Sequence, residues 1–284
     1  MLPNFEGMEN HTGEFFIENG KLFPREKLVD TIPSRGISIY EVIRVVDGYP
    51  LFLEGHMDRF TGSCKISGIP YEPYLKMIGQ DIKKLISINN LKIGNIKLLF
   101  CYSEGILTWR FFFIPFNYPN EKDYKTGVSV GTLSIERKNP TVKTVQQNVR
   151  GKANELIQKH GFYEVLLIDS NGYIREGSRS NVFFISGDTI ITPPSNIVLP
   201  GITRQKVIHI INESGNLLKE EQILLQDISR FDAIFLTGTS PKVLSVNKIG
   251  EQSFNPSNKI YLDISDKYNQ LVKLDVASYN KKSM

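Results

Sequence analysis

Apolar positions recur along this chain with two periods, and the switches between them mark its elements. Glu14-Phe15-Phe16-Ile17 and Lys21-Leu22-Phe23 flank Glu18-Asn19-Gly20, an Asn-Gly pair that favours a tight hairpin turn. Residues 37–46 and 50–53 read as a second, longer pair of strands around Asp47-Gly48. From Leu53 the period becomes helical, with Phe60 and Cys64 on the buried side and Glu54, His56, Asp58 and Arg59 as a charged remainder. A second helix is expected over about residues 73–89, its proline acceptable in the first turn, and strands over 95–103 and 107–116.

Apolar alternation stops at residues 115–127, where Pro, Asn, Lys and Asp take over. This predicts an N-terminal domain over residues 1–118, a linker over 119–127 and a C-terminal domain over 128–284. The second part opens on a strand, 128–136, and then Asn139-Pro140-Thr141-Val142-Lys143 leads into a helix through Gln146, Ala153, Leu156 and Ile157 to Gly161. A strand-like run from Ile174 ends in a charged turn, Arg175-Glu176-Gly177-Ser178-Arg179-Ser180-Asn181. The strand Val182-Phe183-Phe184-Ile185, a Gly187-Asp188 hairpin signal and the strand Thr189-Ile190-Ile191-Thr192 follow. Leu199-Pro200-Gly201-Ile202-Thr203-Arg204 opens a helix with Val207, Ile208 and Ile211 on one side, and Phe235-Leu236 ends in Thr237-Gly238-Thr239-Ser240. Residues 1 to about 12 are polar and read as a loose arm.

Composition narrows the classes of function. At 284 residues, 40% hydrophobic and 23% charged, the chain has the profile of an ordinary globular protein with room for real cores. A net charge of +4, without a basic block, argues against nucleic acid as a partner. Cys64 and Cys101 have neither metal spacing nor a disulfide framework, so reduced thiols are expected and no metal. No apolar run long enough to span a bilayer occurs, so a cytoplasmic enzyme with no membrane partner is expected.

The candidate chemistry lies at the two ends of residues 174–204. Glu176 is a carboxylate at the rim of a hairpin, and Gly201-Ile202-Thr203 begins a helix whose N–H groups and dipole suit a phosphate. With a lysine added, these are the requirements of pyridoxal phosphate: an acidic partner for the ring nitrogen, an anchor for the phosphate and an amine for a Schiff base. On residue type alone, Glu176 also fits a solvated turn, Arg59 a surface cation and Gly201 a simple cap.

The strings themselves are more specific. GYIREGSRSNVFF followed by LPGITR closely resembles the class IV aminotransferases, the fold-type IV pyridoxal-phosphate enzymes that include branched-chain and D-amino acid aminotransferases and aminodeoxychorismate lyase. The resemblance runs from about residue 37 to about 246. It implies an α+β fold of two domains, a smaller N-terminal α/β domain and a larger, β-barrel-like C-terminal one, forming a homodimer that binds pyridoxal 5'-phosphate and acts on an amino acid and a 2-oxo acid. Lys143, 18 residues ahead of Gly161 and 33 ahead of Glu176, matches the family's Schiff-base lysine, with Lys152 and Lys138 as competitors that do not keep the spacing. Arg59, in the string His56, Arg59, Phe60, Ser63, matches the arginine that binds the phosphate, together with Thr239 and the N–H groups of Ile202 and Thr203. Glu176 matches the partner of the ring nitrogen, Ser178 and Arg179 fall in the cofactor-binding string, and Tyr40, Lys97 and Ser240 fall where relatives receive substrate.

Three positions depart from the family pattern. Branched-chain enzymes carry a phenol just after the lysine, where this chain has Thr144-Val145-Gln146-Gln147-Asn148, leaving Gln147 or Asn148 to substitute. An arginine found near the substrate carboxylate in several relatives is missing, so Arg44, Lys97, Arg110 and Arg179 stand as its possible replacements. Val42 occupies the position of a threonine that the lyase uses, which favours transamination over pyruvate elimination. A catalytically silent binder of a phosphorylated ligand is the third reading.

Overall fold

The structure is a computed structural model and describes residues 12–29 and 36–282; residues 1–11, most of the expected arm, lie outside the described residues. Two compact units are present. The first is drawn from the chain up to Asn117, Val142–Val145 and the residues from Lys273; the second from Tyr118–Thr141 and Gln146–Val272.

The first unit contains β1 (Phe15–Glu18), β2 (Lys21–Pro24), β3 (Ile37–Val46), β4 (Tyr49–Pro50), α1 (Leu53–Ile66), α2 (Leu75–Asn89), β5 (Gly94–Ser103) and β6 (Ile106–Ile114). Its strands form one antiparallel sheet in the order β2-β1-β6-β5-β3-β4. The two hairpins expected from Asn-Gly and Asp-Gly are there, with Asn19 and Gly20 at φ 49° and 77° and Asp47 and Gly48 at φ 52° and 82°. Such paired positive φ values twist a two-residue turn in the sense of the strands it joins. The second pair is shorter than residues 50–53 suggest. β4 stops at Pro50, Phe52 turns left-handed at φ 51°, and its N–H donates to Asp275 Oδ2 at 2.8 Å, so that α1 begins at Leu53.

Alternation divides the sheet into two faces. Ile39, Ile43 and Val45 of β3 join Ile96, Leu98, Phe100, Phe111 and Phe113 in a core closed by Phe60 and Cys64 of α1 and Ile78, Ile82 and Leu85 of α2. The other face holds Phe16, Leu99, Cys101 and Phe112, with Tyr40, Phe23, Leu28 and Val145 packed against them. Both cysteines are free and buried, and burial pushes the Cys64 thiol up to about 12.

In the second unit are α3 (Glu121–Thr126), β7 (Val128–Ser134), α4 (Gln147–His160), β8 (Glu164–Ile168), β9 (Tyr173–Gly177), β10 (Asn181–Ser186), β11 (Thr189–Thr192), α5 (Ile202–Glu213), β12 (Leu217–Glu220), β13 (Ile223–Leu224), β14 (Ala233–Gly238), β15 (Lys242–Ile249) and β16 (Gln252–Ser253). The last helix, α6 (Lys259–Lys282), starts in this unit and ends in the other. Residues read as linker therefore include a helix, which forms because Asn120 and Asp123 cap each other's backbone N–H in a capping box. The ten-stranded sheet runs β12-β11-β10-β14-β15-β7-β8-β9-β13, with β16 on β15, and curls as a half-barrel where a barrel-like domain was expected. β7 is parallel to both β8 and β15, and every residue of β8, Glu-Val-Leu-Leu-Ile, is buried. Parallel strands need a crossover, and the β7 to β8 connection carries Lys143 on its way to α4. Among the described residues no helix is long and apolar enough to cross a membrane, and no cluster of three or more His, Cys, Asp or Glu could hold a metal.

Candidate active site

In the first unit the site grows from one charge in an apolar row. Glu41 interrupts Ile39, Ile43 and Val45 on the core face of β3 and is 0% exposed. A buried carboxylate is tolerable only if paired and bonded. Arg59 Nε donates to Glu41 Oε1 at 2.8 Å, Arg59 Nη2 to Oε2 at 2.6 Å, and His56 Nδ1 lies 2.9 Å from Oε2. His56 and Arg59, three residues apart on α1, meet the same carboxylate because that spacing puts them on one helix face. His56 is thus buried at 3% exposure, not part of an exposed charged stripe.

Although burial opposes ionisation of Glu41, the Arg59 charge and hydrogen bonds, with those of His56, hold its carboxyl at about 2. Burial drives His56 below its ordinary 6.5, and the Arg59 and Lys143 charges push the same way against the bond to Glu41. Both groups destabilise the fold in acid. The unfolded carboxyl takes a proton near 4.5, so Glu41's contribution is complete above that pH and lost as the pH falls toward 2. It amounts to roughly 3 kcal/mol at ~1.4 kcal/mol per unit. The His56 loss begins higher, as the pH falls through 6.5, because only the unfolded imidazole then gains a proton. The urea midpoint of unfolding should therefore fall steadily from pH 7 to pH 3; a midpoint that rises on acidification contradicts the network.

Lys143 sits beside this network, but not at a helix start as its sequence suggests. Tyr40 N donates to Lys143 O at 3.1 Å, Val145 N to Ser38 O at 3.2 Å, and Ile39 bridges Thr144, so β3 captures residues 143–145 as extended chain. Gln146 bonds both backbone groups of Lys138, and α4 opens only at Gln147. The Lys143 N–H faces Ser63 Oγ of α1 at 3.5 Å, and Nζ lies 4.9 Å from the centre of the Tyr40 ring. The amine is half-buried, whereas the competing Lys138 and Lys152 are exposed, as are Gln147 and Asn148.

Among the substrate candidates, Tyr40 and Lys97 are diagonal neighbours on the second sheet face, through the pairs Tyr40 with Leu99 and Val42 with Lys97. Lys97 Nζ lies 5.3 Å from the centre of Phe112, which Arg25 approaches at 5.6 Å. Arg110 is engaged by Glu18 at 3.2 Å and Val29 O at 2.9 Å, Arg44 is buried, and Arg179 pairs with Asn154.

In the second unit Glu176 belongs to β9 rather than to a solvated turn, and is 3% exposed. It shares the inward parity of Ile174, while Arg175 pairs with Asp169. Glu176 Oε1 accepts from Arg137 Nη1 at 2.6 Å, and Oε2 from Leu199 N at 3.0 Å and Asn181 Nδ2 at 3.3 Å. The turn that follows is held by Glu164: Ser178 Oγ donates to its Oε1 at 2.6 Å, and Arg179 N and Ser180 Oγ to its Oε2, each at 3.0 Å. Asn181 Nδ2 also donates to Leu199 O at 2.9 Å, which ties Glu176 to the segment that opens α5.

Gly201 caps that helix with φ −61°, a value open to any residue, yet a Cβ there would lie 2.1 Å from Asn181 Oδ1. Close approach, not backbone conformation, demands glycine. Gly201→Ala should displace the amide and weaken cofactor retention at least tenfold in a dialysis assay; unchanged retention would show that the helix start plays no part. Ile202 and Thr203 are buried in the first turn of α5, where helix N–H groups lack intrahelical partners, and Thr203 Oγ1 lies 3.4 Å from Tyr268 Oη. Thr239 and Ser240 are half-buried in the turn from β14 to β15.

Within each unit, then, the structure sets Lys143 along β3, with its amine over Tyr40 on one face and its backbone beside Ser63 of α1, the helix whose Arg59 bonds Glu41 on the other face, and it ties Glu176 to the start of α5. Glu41, Arg137, Glu164 and Asn181 were missing from the candidates. Glu41 left a signal, a charge at an apolar parity in Ile39, Glu41, Ile43, Val45; Arg137 and Glu164 hold side-chain partners 39 and 14 residues away, and Asn181 bridges nearby Glu176 to Leu199, 18 residues on. The groups that each unit offers suit pyridoxal phosphate: in the first a half-buried amine and an arginine whose side chain is 6% exposed, in the second a buried carboxylate and a helix terminus pared to glycine.

Sheets of this topology with helices between them define a fold-type IV architecture. The crystal structure of the branched-chain amino acid aminotransferase of Escherichia coli superposes with a TM-score of 0.79 at 22% identity, covering 92% of this chain and 95% of that one. The family model described as amino-transferase class IV matches residues 38–249, and the chain belongs to that family. It is thereby a pyridoxal 5'-phosphate-dependent enzyme of the aminotransferase class. A putative branched-chain-amino-acid aminotransferase of Methanocaldococcus jannaschii is 28% identical over 272 residues, 90% of this chain and 94% of the relative. The D-alanine aminotransferase of Bacillus licheniformis is 27% identical over 251 residues, 83% and 88% respectively.

Proposed function

We propose that the enzyme transfers an amino group between an amino acid and a 2-oxo acid, with Lys143 as its cofactor lysine. The observation that carries this reading is the setting of Lys143: a half-buried amine over the Tyr40 ring, in a segment anchored to β3 by main-chain bonds and beside His56, whose burial lowers its pKa. Bound pyridoxal phosphate supplies the electron sink. Lys143 would hold it, and its amine would carry a proton to and from the substrate Cα. Glu176, held by Arg137, would face the ring nitrogen as its acidic partner. Arg59, the Ile202 and Thr203 N–H groups and Thr239 hold the phosphate, and Ser178 and Arg179 fix the turn next to Glu176. Tyr40 and Ser240 line the substrate, and Lys97, a diagonal neighbour of Tyr40 on the same sheet face, receives its carboxylate.

Screening L- and D-amino acids against 2-oxoglutarate and pyruvate tests the reaction. A yellow protein that forms a 2-oxo acid from an amino acid supports it. Pyruvate released from aminodeoxychorismate without any amino acceptor overturns it in favour of elimination, and a colourless protein inert to every pair points to a silent phospho-ligand binder. The enzyme is also proposed to act as a homodimer; a fully active monomer in light scattering contradicts this.

A further inference from the structure

Three segments that carry the family resemblance, at residues 175–181, 199–203 and 237–239, are distant in the chain, and one residue of the first, Asn181, bonds the second and pairs with the third. Asn181, 5% exposed at the start of β10, stands opposite Thr237 in the β10 to β14 ladder. Its Nδ2 donates to Glu176 Oε2 at 3.3 Å and to Leu199 O at 2.9 Å, and its Oδ1 occupies the space where a side chain at Gly201 would begin. Leu199 N donates to the same Glu176 oxygen at 3.0 Å, which closes a ring of three bonds.

The chemistry of the position is restrictive. Both partners of Nδ2 are acceptors, one of them an anion, so the bridge must be a double donor without charge. Serine offers one hydrogen, aspartate none when ionised, and lysine would add charge and bulk beside Arg137. A primary amide on a short stem meets all of these conditions, and its carbonyl end then forces glycine at 201.

We propose that Asn181 is a positioning residue that couples the two ends of the cofactor site: it fixes the carboxylate meant for the ring nitrogen and the helix terminus meant for the phosphate, so that neither can move without the other. This rests on the roles proposed above for Glu176 and the start of α5.

The test compares the holoenzyme with Asn181→Ala and Asn181→Ser, using pyridoxal phosphate and pyridoxal as probes, with circular dichroism to confirm folding. Loss of a bond to a charged group is expected to lower pyridoxal phosphate affinity about tenfold or more in the alanine variant. Most of its advantage over pyridoxal should go, and the pH midpoint of the visible absorption band should shift in the same variant. Asn181→Ser, retaining one donor, should fall between and serves if alanine does not fold. Folded variants in which affinity and band stay at wild-type values, or in which only one of the two moves, overturn the coupling. A wild-type protein with no visible band and no preference for the phosphorylated probe would instead defeat the reading of the site on which the coupling rests.

Discussion

Lys143→Ala should give a folded protein whose amino-transfer rate is lower by at least the roughly 10²–10⁴-fold that follows loss of a general acid–base. The fold should survive because the bonds that anchor the segment are main-chain ones: Tyr40 N to Lys143 O, Lys143 N to Ser63 Oγ and Val145 N to Ser38 O. All three are kept by alanine. What is lost is the amine and its contact with the Tyr40 ring, about 0.5–1 kcal/mol where such a contact is partly exposed. Pyridoxal phosphate should still bind through Arg59, Glu176 and Thr239, but borohydride should no longer fix it to the chain. Kinetics and thermal melting of the same preparation check both halves. Retained activity, or a melting point lowered by more than a few degrees, contradicts the assignment.

Glu41→Ala should do the reverse and act on the fold first. It leaves the Arg59 guanidinium, 6% exposed at its side chain, without the carboxylate that accepts two of its bonds, and His56 without its 2.9 Å partner. Breaking a buried pair from one side costs about 3–5 kcal/mol, because the remaining charge stays buried and uncompensated. Against a total stability of about 5–15 kcal/mol, that is enough to shift the urea midpoint far toward zero. Paired replacement of Glu41 and Arg59 by apolar residues of similar volume should recover stability while abolishing phosphate binding. A single variant as stable as wild type would show that the network contributes little.

Much of this architecture was legible because its signals are local. Asn19-Gly20 and Asp47-Gly48 impose their turns whatever surrounds them, and a run such as Val182-Phe183-Phe184-Ile185 suits a strand buried on both faces. Misreadings arose where tertiary partners overrode local preference. Residues 143–145 resemble a helix start, yet β3 captures their backbone as a short extended segment and delays α4 to Gln147. Arg175-Glu176-Gly177 looks like a solvated turn, yet Arg137, 39 residues earlier, neutralises Glu176 and lets β9 continue through it. His56 reads as a surface charge until Glu41 is placed on the facing strand. The candidate site was legible only as a set of family strings, whereas Glu41 and Glu164 hold their places through partners 14 to 18 residues away that only folding brings to them.

The central claim, that Lys143 carries the cofactor, is tested most directly by reducing the holoenzyme with borohydride and mapping the modified peptide. The account predicts a single pyridoxyl group on Lys143. A pyridoxyl group on Lys138, Lys152 or any other lysine would contradict it, and would remove the register on which the role of Glu176 depends.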